Sequence, residues 1–113
     1  VINTVDWKTK EEMRNKKISS TIEEIKTQTI DDILIGEKPT IIKVNALGAD
    51  LPILYGARNT ILNNKPIIIM EYGSKPEYIL EQIEYLKKLR SDYKFYFRQK
   101  KIFYDSKTIL YAI

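Results

Sequence analysis

Two nearly unbroken apolar runs, Thr40-Ile41-Ile42-Lys43-Val44 and Ile67-Ile68-Ile69-Met70-Glu71, constrain this chain more than any other feature. Runs of that length without polar alternation mark central strands covered on both faces, as in parallel sheets. Between them, Leu51, Leu54, Tyr55, Arg58, Ile61 and Leu62 recur at helical spacing and give one mostly apolar face. Strand, helix and strand at this spacing form a right-handed βαβ unit. Asp50 is placed to cap the helix, and Pro52 falls in its first turn, where the missing N–H costs nothing. Asn63-Asn64-Lys65-Pro66 ends it. The intervening loop, Asn45-Ala46-Leu47-Gly48-Ala49, lies beyond the carboxyl end of the first strand, where α/β proteins bind ligands.

The flanking segments extend this unit. Residues 1–23 read as irregular, with Asp6 able to cap a short helix through Lys8–Arg14 and Ser19-Ser20-Thr21 as a turn. Glu24–Ile30 is β-rich and partly alternating, a strand with one solvent face. Asp31–Ile35 reads as one or two helical turns whose acids sit at the positive end of the dipole, stopped by Gly36 and Pro39. After the second run, Gly73-Ser74 turns the chain. Ser74 with Glu77 makes a capping box, with Pro76 in the first turn. Ile79, Leu80, Ile83, Leu86 and Leu89 give the buried stripe of the next helix. Asp92–Arg98 is a strand, Gln99-Lys100-Lys101 a tight turn into Ile102–Tyr104, and Asp105-Ser106-Lys107 a second turn. Thr108–Ile113 is the last strand, inside the sheet and antiparallel to its neighbours.

With 113 residues, the chain has the length of one domain. It has no cysteine and no histidine. Disulfides, thiolate metal sites, the Ser-His triad and the commonest zinc ligand are thereby excluded. No apolar run approaches the ~18–20 residues of a membrane-crossing helix. No leader is visible before the charges that follow Val1–Asp6, so a cytoplasmic setting is the default expectation. A net charge of +4 permits an anionic partner without demanding one.

The order of elements resembles the C-terminal half of a class I S-adenosylmethionine-dependent methyltransferase, in which the last strand inserts between the two before it. Within that superfamily, the words are similar to the FkbM-type methyltransferases. They are Thr29-Ile30-Asp31-Asp32-Ile33-Leu34; Ile42 through Ala57; Lys65-Pro66-Ile67-Ile68-Ile69-Met70-Glu71; Tyr93; and Ile109–Ile113. The resemblance implies an α/β fold: a partial class I methyltransferase (Rossmann-like) sheet, βαβαββ with an antiparallel last strand. Residues 24–113 would be the C-terminal half of that domain.

The resemblance implies S-adenosylmethionine as cofactor and a small-molecule or sugar hydroxyl as acceptor. The substrate-facing candidates are Asn45, Asp50 and Glu71. Two departures stand out. Gly36, Gly48, Gly56 and Gly73 form no G-x-G turn, so no cofactor-binding residue and no metal ligand is identified in these 113 residues. The family's Asp after the strand is Asn45 here, its next Glu is Leu47 and its following Glu is Asp50, whereas Glu71 matches directly. Asn45 keeps an acceptor but not a charge, and Leu47 keeps neither. Each candidate has a plainer reading: Asn45 as a turn residue, Asp50 as a cap, Gly48 as a positive-φ hinge, Glu71 as a lysine partner, and Asp31 and Asp32 as helix-start acids.

The expected function is therefore the C-terminal portion of an O-methyltransferase, inactive without the cofactor half. The alternative is a methyltransferase-like assembly module whose strand Thr40–Val44, left at a raw sheet edge, pairs with a missing N-terminal half or a second copy. Segment Glu24–Ile30 is the other candidate to cover that edge. Ranked last is nucleic-acid binding through the basic and aromatic stretch 93–104, since charge at a turn is usually just solvated.

Overall fold

The computed structural model describes residues 2–5, 21–72, 78–103 and 105–113. The elements run β1 (Ile2–Val5), β2 (Glu23–Lys26), α1 (Ile30–Ile33), β3 (Ile41–Val44), α2 (Asp50–Tyr55), α3 (Arg58–Asn64), β4 (Ile67–Tyr72), α4 (Ile79–Leu89), β5 (Phe95–Ile102) and β6 (Asp105–Ala112). The Lys8–Arg14 helix with its Asp6 cap, the Ser19-Ser20 turn and the Ser74/Glu77 capping box lie outside the described residues. No described helix is long and apolar enough to cross a membrane.

Four strands form one sheet in the order β3-β4-β6-β5. β3 is parallel to β4, and β6 is antiparallel to both β4 and β5. The last strand is thus inserted between the two before it, as the α/β reading with an antiparallel last strand expects. β1 and β2 form a separate antiparallel pair, so the N-terminal stretch expected to be irregular contributes a strand.

β3 is not central among the described strands. It is the outer strand, with Ile41 56% exposed, and β2 pairs with β1 instead of covering it. An apolar run reports that a strand is partly covered, not which neighbours cover it.

Among the described residues, the helices pack on one sheet face. Val44, Ile68, Met70, Tyr72, Leu110 and Ala112 are buried there against Leu54, Ala57, Ile61, Ile79 and Leu86. Their alternating neighbours Ile41, Lys43, Ile67, Ile69, Glu71, Ile109 and Tyr111 point to the other face, and none of them is fully buried. β4 shows this most clearly, alternating half-buried and buried along its length.

The helix expected over residues 50–62 is two helices. Gly56 interrupts it, because its carbonyl accepts from the Asp31 N–H at 2.8 Å. The Asp31 carboxylate then caps α3 from across the chain. It accepts from Asn59 N at 2.9 Å, Thr60 N at 2.8 Å and Thr60 Oγ1 at 2.7 Å. These bonds satisfy amides that a helix start leaves open. Asp31 is therefore more than a helix-start acid, while Thr29 caps its own helix through the Asp32 N–H at 3.1 Å. A Cβ on Gly56 would stand 3.1 Å from Thr29 Cβ, so glycine suits this close crossing.

Two further expectations change. Leu80 is 69% exposed and Gln82 is buried, because the face that starts at Ile79 continues through Gln82, Ile83 and Leu86. Gln99, Lys100 and Lys101 are strand, not turn: β5 and β6 pair without a break from Phe95↔Ala112 to Ile102↔Asp105. Lysines read as a solvated turn, but a ribbon open to water on both faces accommodates them equally well. The reversal falls at Phe103, which has φ +54° and is 95% exposed.

At the opposite end, the Tyr93 hydroxyl donates to Pro66 O at 2.6 Å, and burial pushes this phenol up to about 12. Arg90 Nη1 donates to Leu62 O at 2.7 Å and also grips Asp92. The Arg90 hydrogen bonds hold the Asp92 carboxyl well below the usual range. This clasp ties the ends of α3 and α4 together.

Candidate functional site

β3 and β4 end side by side, and their carboxyl ends bring two of the three candidate residues together. Asn45 Nδ2 donates to Glu71 Oε2 at 3.2 Å. Glu71 also faces Lys43 Nζ at 3.9 Å and Lys107 Nζ at 3.6 Å, so one carboxylate links three strands. Its side chain is 21% exposed, open enough to meet a solute. Both the lysine-pairing and the strand-end readings of Glu71 thus describe the same atom set.

Asp50 is held apart from this pair. It is 7% exposed, and its carboxylate turns back onto the loop, accepting from Ala46 N at 3.2 Å and Gly48 N at 3.3 Å. Ala49 occupies the cap position without a side-chain bond, so Asp50 is not the N-cap expected from its place in the chain. It clamps the loop and consumes two amides that a phosphate-cradling loop would keep free. Gly48, at φ +103°, is the positive-φ hinge of that turn. Leu47 is 98% exposed with φ +48°, a conformation uncommon for a non-glycine residue. Beneath the loop, burial raises the Tyr72 pKa, and the Asp50 charge adds to the shift, so the phenol stays protonated.

The described residues do not build an S-adenosylmethionine site. None of the four glycines belongs to a G-x-G turn, two amides of the β3–α2 loop, Ala46 and Gly48, are taken by Asp50, and the acid ending β4 is engaged by two lysines and Asn45. Among the described residues, no three acidic side chains stand close enough to hold a metal ion. A groove of about 790 Å³ opens between the β2–α1 connection and α2, lined in part by Lys26, Gln28, Pro52 and Ile53. Asn45 and Glu71 do not line it.

Comparison with known families decides the relationship. The sequence model described as Methyltransferase FkbM domain matches residues 5–95. The chain belongs to the FkbM methyltransferase family. A solved relative, the methyltransferase FkbM of Methylobacillus flagellatus KT, superimposes with a TM-score of 0.66 at 30% identity. The match covers 81% of this chain and 24% of that one, so the chain spans about a quarter of its FkbM relative. No match is found among curated proteins.

Within this FkbM domain, each residue around Asn45 has a distinct place. Asn45 lies at the strand end and contacts Glu71, Asp50 clamps the loop, and Leu47 points into solvent. Sequence reasoning missed Lys43 and Lys107 as partners of Glu71. Lys43 sits two residues before Asn45 on the same strand face, a signal available from alternation alone. Lys107 was hidden by reading its segment as a turn.

Proposed function

We propose that this chain is the acceptor-facing part of an FkbM-type O-methyltransferase acting on a hydroxyl of a small molecule or sugar. Residues 24–113 form the C-terminal half of the methyltransferase domain. S-adenosylmethionine, the methyl donor implied by the family, is held by another segment or subunit, and these 113 residues alone are inactive. The observation that carries this reading is the Asn45–Glu71 contact at the paired ends of β3 and β4. Glu71 offers a carboxylate oxygen to an acceptor hydroxyl, and the carbonyl oxygen of Asn45 is a second acceptor beside it. Lys43 and Lys107 hold the carboxylate in place, and Asp50 keeps the loop shaped around the pair.

Two measurements test the reading. Titration calorimetry of the chain with S-adenosylmethionine should show no micromolar binding. Amide NMR with hydroxylated sugars should shift Asn45 and Glu71, with the response lost in Glu71→Gln. Micromolar cofactor binding would overturn the inactivity, and silence at both residues would overturn the acceptor role.

The open outer edge of β3 favours a second reading, an assembly module that pairs with a methyltransferase half or a second copy. Sedimentation over a range of concentrations separates the two: self-association supports the module, and a strict monomer removes the second copy.

A further inference from the structure

The face of the sheet opposite the helices carries three rows of side chains that the pairing registers align. The first row runs Tyr96, Tyr111, Ile69 and Lys43; the second Arg98, Ile109 and Glu71; the third Lys100 and Lys107. The face holds four cations, Lys43, Arg98, Lys100 and Lys107, against Glu71 and, at the register position beyond Lys107, Asp105. Lys100 and Lys107 are directly opposed across β5 and β6, an arrangement that destabilises a strand pair. Lys107 leans away toward Glu71, while Arg98 and Lys100 have no ion-pair partner among the described residues. The hairpin also outruns the site. Glu71 pairs with Ile109, and β6 starts four residues above, roughly 13 Å at the usual rise per residue. It therefore forms a basic wall beside the Asn45–Glu71 pair. A ligand that brings its own negative charge relieves both the Lys100–Lys107 repulsion and the surplus of positive charge.

Resting on the acceptor reading above, we propose that the hydroxylated acceptor is anionic. It bears a carboxylate or phosphate that Arg98, Lys100 and Lys107 hold, while its hydroxyl reaches Asn45 and Glu71. The two exposed-to-half-buried tyrosines of the first row, Tyr96 and Tyr111, give the remainder of a sugar ring an apolar surface to lie on.

The test is amide NMR on the 113-residue chain with galactose, galacturonate and galactose 6-phosphate as separate probes, plus a twelve-residue oligothymidine. The expected result is that one or both anionic sugars shift Lys100, Lys107, Asn45 and Glu71, and that galactose binds at least roughly tenfold more weakly, the loss expected for about one charge-assisted contact. Comparing galacturonate with galactose 6-phosphate identifies which anion the wall prefers. The double variant Lys100→Gln/Lys107→Gln should erase the preference. Lys65→Gln, at the other end of the sheet, should leave it intact, which controls for general charge effects. Equal binding of galactose at Asn45 and Glu71 would overturn the anionic acceptor and leave the acceptor reading standing. No sugar shifting those two residues would overturn both. Tighter binding of oligothymidine along the hairpin, with Asn45 and Glu71 unmoved, would replace the proposal with a nucleic-acid surface.

Discussion

The two faces of the four-stranded sheet come from the same strands, one residue apart, and have opposite uses. The helix-covered face is a closed apolar core of Ile68, Met70, Leu110 and Ala112. The open face carries isoleucines and tyrosines of similar size, but also Glu71, Arg98 and three lysines. The difference shows that side-chain alternation, not apolar content, assigns work within this sheet. One face holds the fold together, and the other presents the candidate site.

Substitutions on β4 should split the two faces most widely. Ile68→Ala empties a fully buried position and should cost about 3 kcal/mol. Ile69→Ala, one residue later on the half-buried face, should cost about 1 kcal/mol. Urea unfolding with unchanged slope is the measurement, and equal losses would abolish the distinction between the faces.

A smaller effect comes from the joint that seats the helices on the covered face. Asp31→Ala removes the remote cap of α3 and should cost about 2 kcal/mol, with Asp31→Asn costing less. If Asp31→Ala unfolds at the wild-type midpoint, the joint does not hold the helical layer.

Acid gives a third, more selective probe of the same joint. Burial raises the Asp31 pKa, but the bonds from Asn59 and Thr60 outweigh it and hold the carboxyl below its ordinary value of 3.8. A lowered folded pKa stabilises above the unfolded value, and that stability fades as pH falls through the folded one. Wild type should therefore lose more stability than Asp31→Asn as pH falls below about 5 and the group takes up its proton. Asp92 is also lowered, and both proteins share it, so the difference isolates Asp31.

The smallest effect should have the opposite sign. Lys100→Glu replaces a repelling cross-strand pair with an attracting one and should stabilise the chain by about 0.5 kcal/mol. Destabilisation by this change would show that the upper open face is not strained by its own charge.

Much of the fold was legible because βαβ spacing is a strong local signal. The β3 and β4 runs, the helical pattern between them and an interior last strand all follow from the order of apolar segments. The rest depended on partners far away in sequence. Nothing near residue 56 announces that Asp31 will break and recap the helix there. The Ile67-Ile68-Ile69 run looks uniform, although its members face different layers. The Asn45–Glu71 contact was foreseeable, since both residues end adjacent parallel strands. The backward turn of Asp50 was not, because an aspartate before a proline-containing helix start suits a cap just as well. Lys100 and Lys101 were misplaced because lysine chemistry is the same in a turn and in an open ribbon.

The insertion of β6 between β4 and β5 also dictates when this protein can fold. Both strands it separates leave the ribosome before it does. Until its eight residues follow, β4 has only β3 beside it and β5 has no partner among the described strands. Each nascent chain therefore carries an unpaired apolar strand edge during synthesis, the kind of edge that recruits neighbouring chains. Crowded or fast production should consequently favour aggregates over product, and a truncation that removes β6 should leave the sheet in two unconnected pieces.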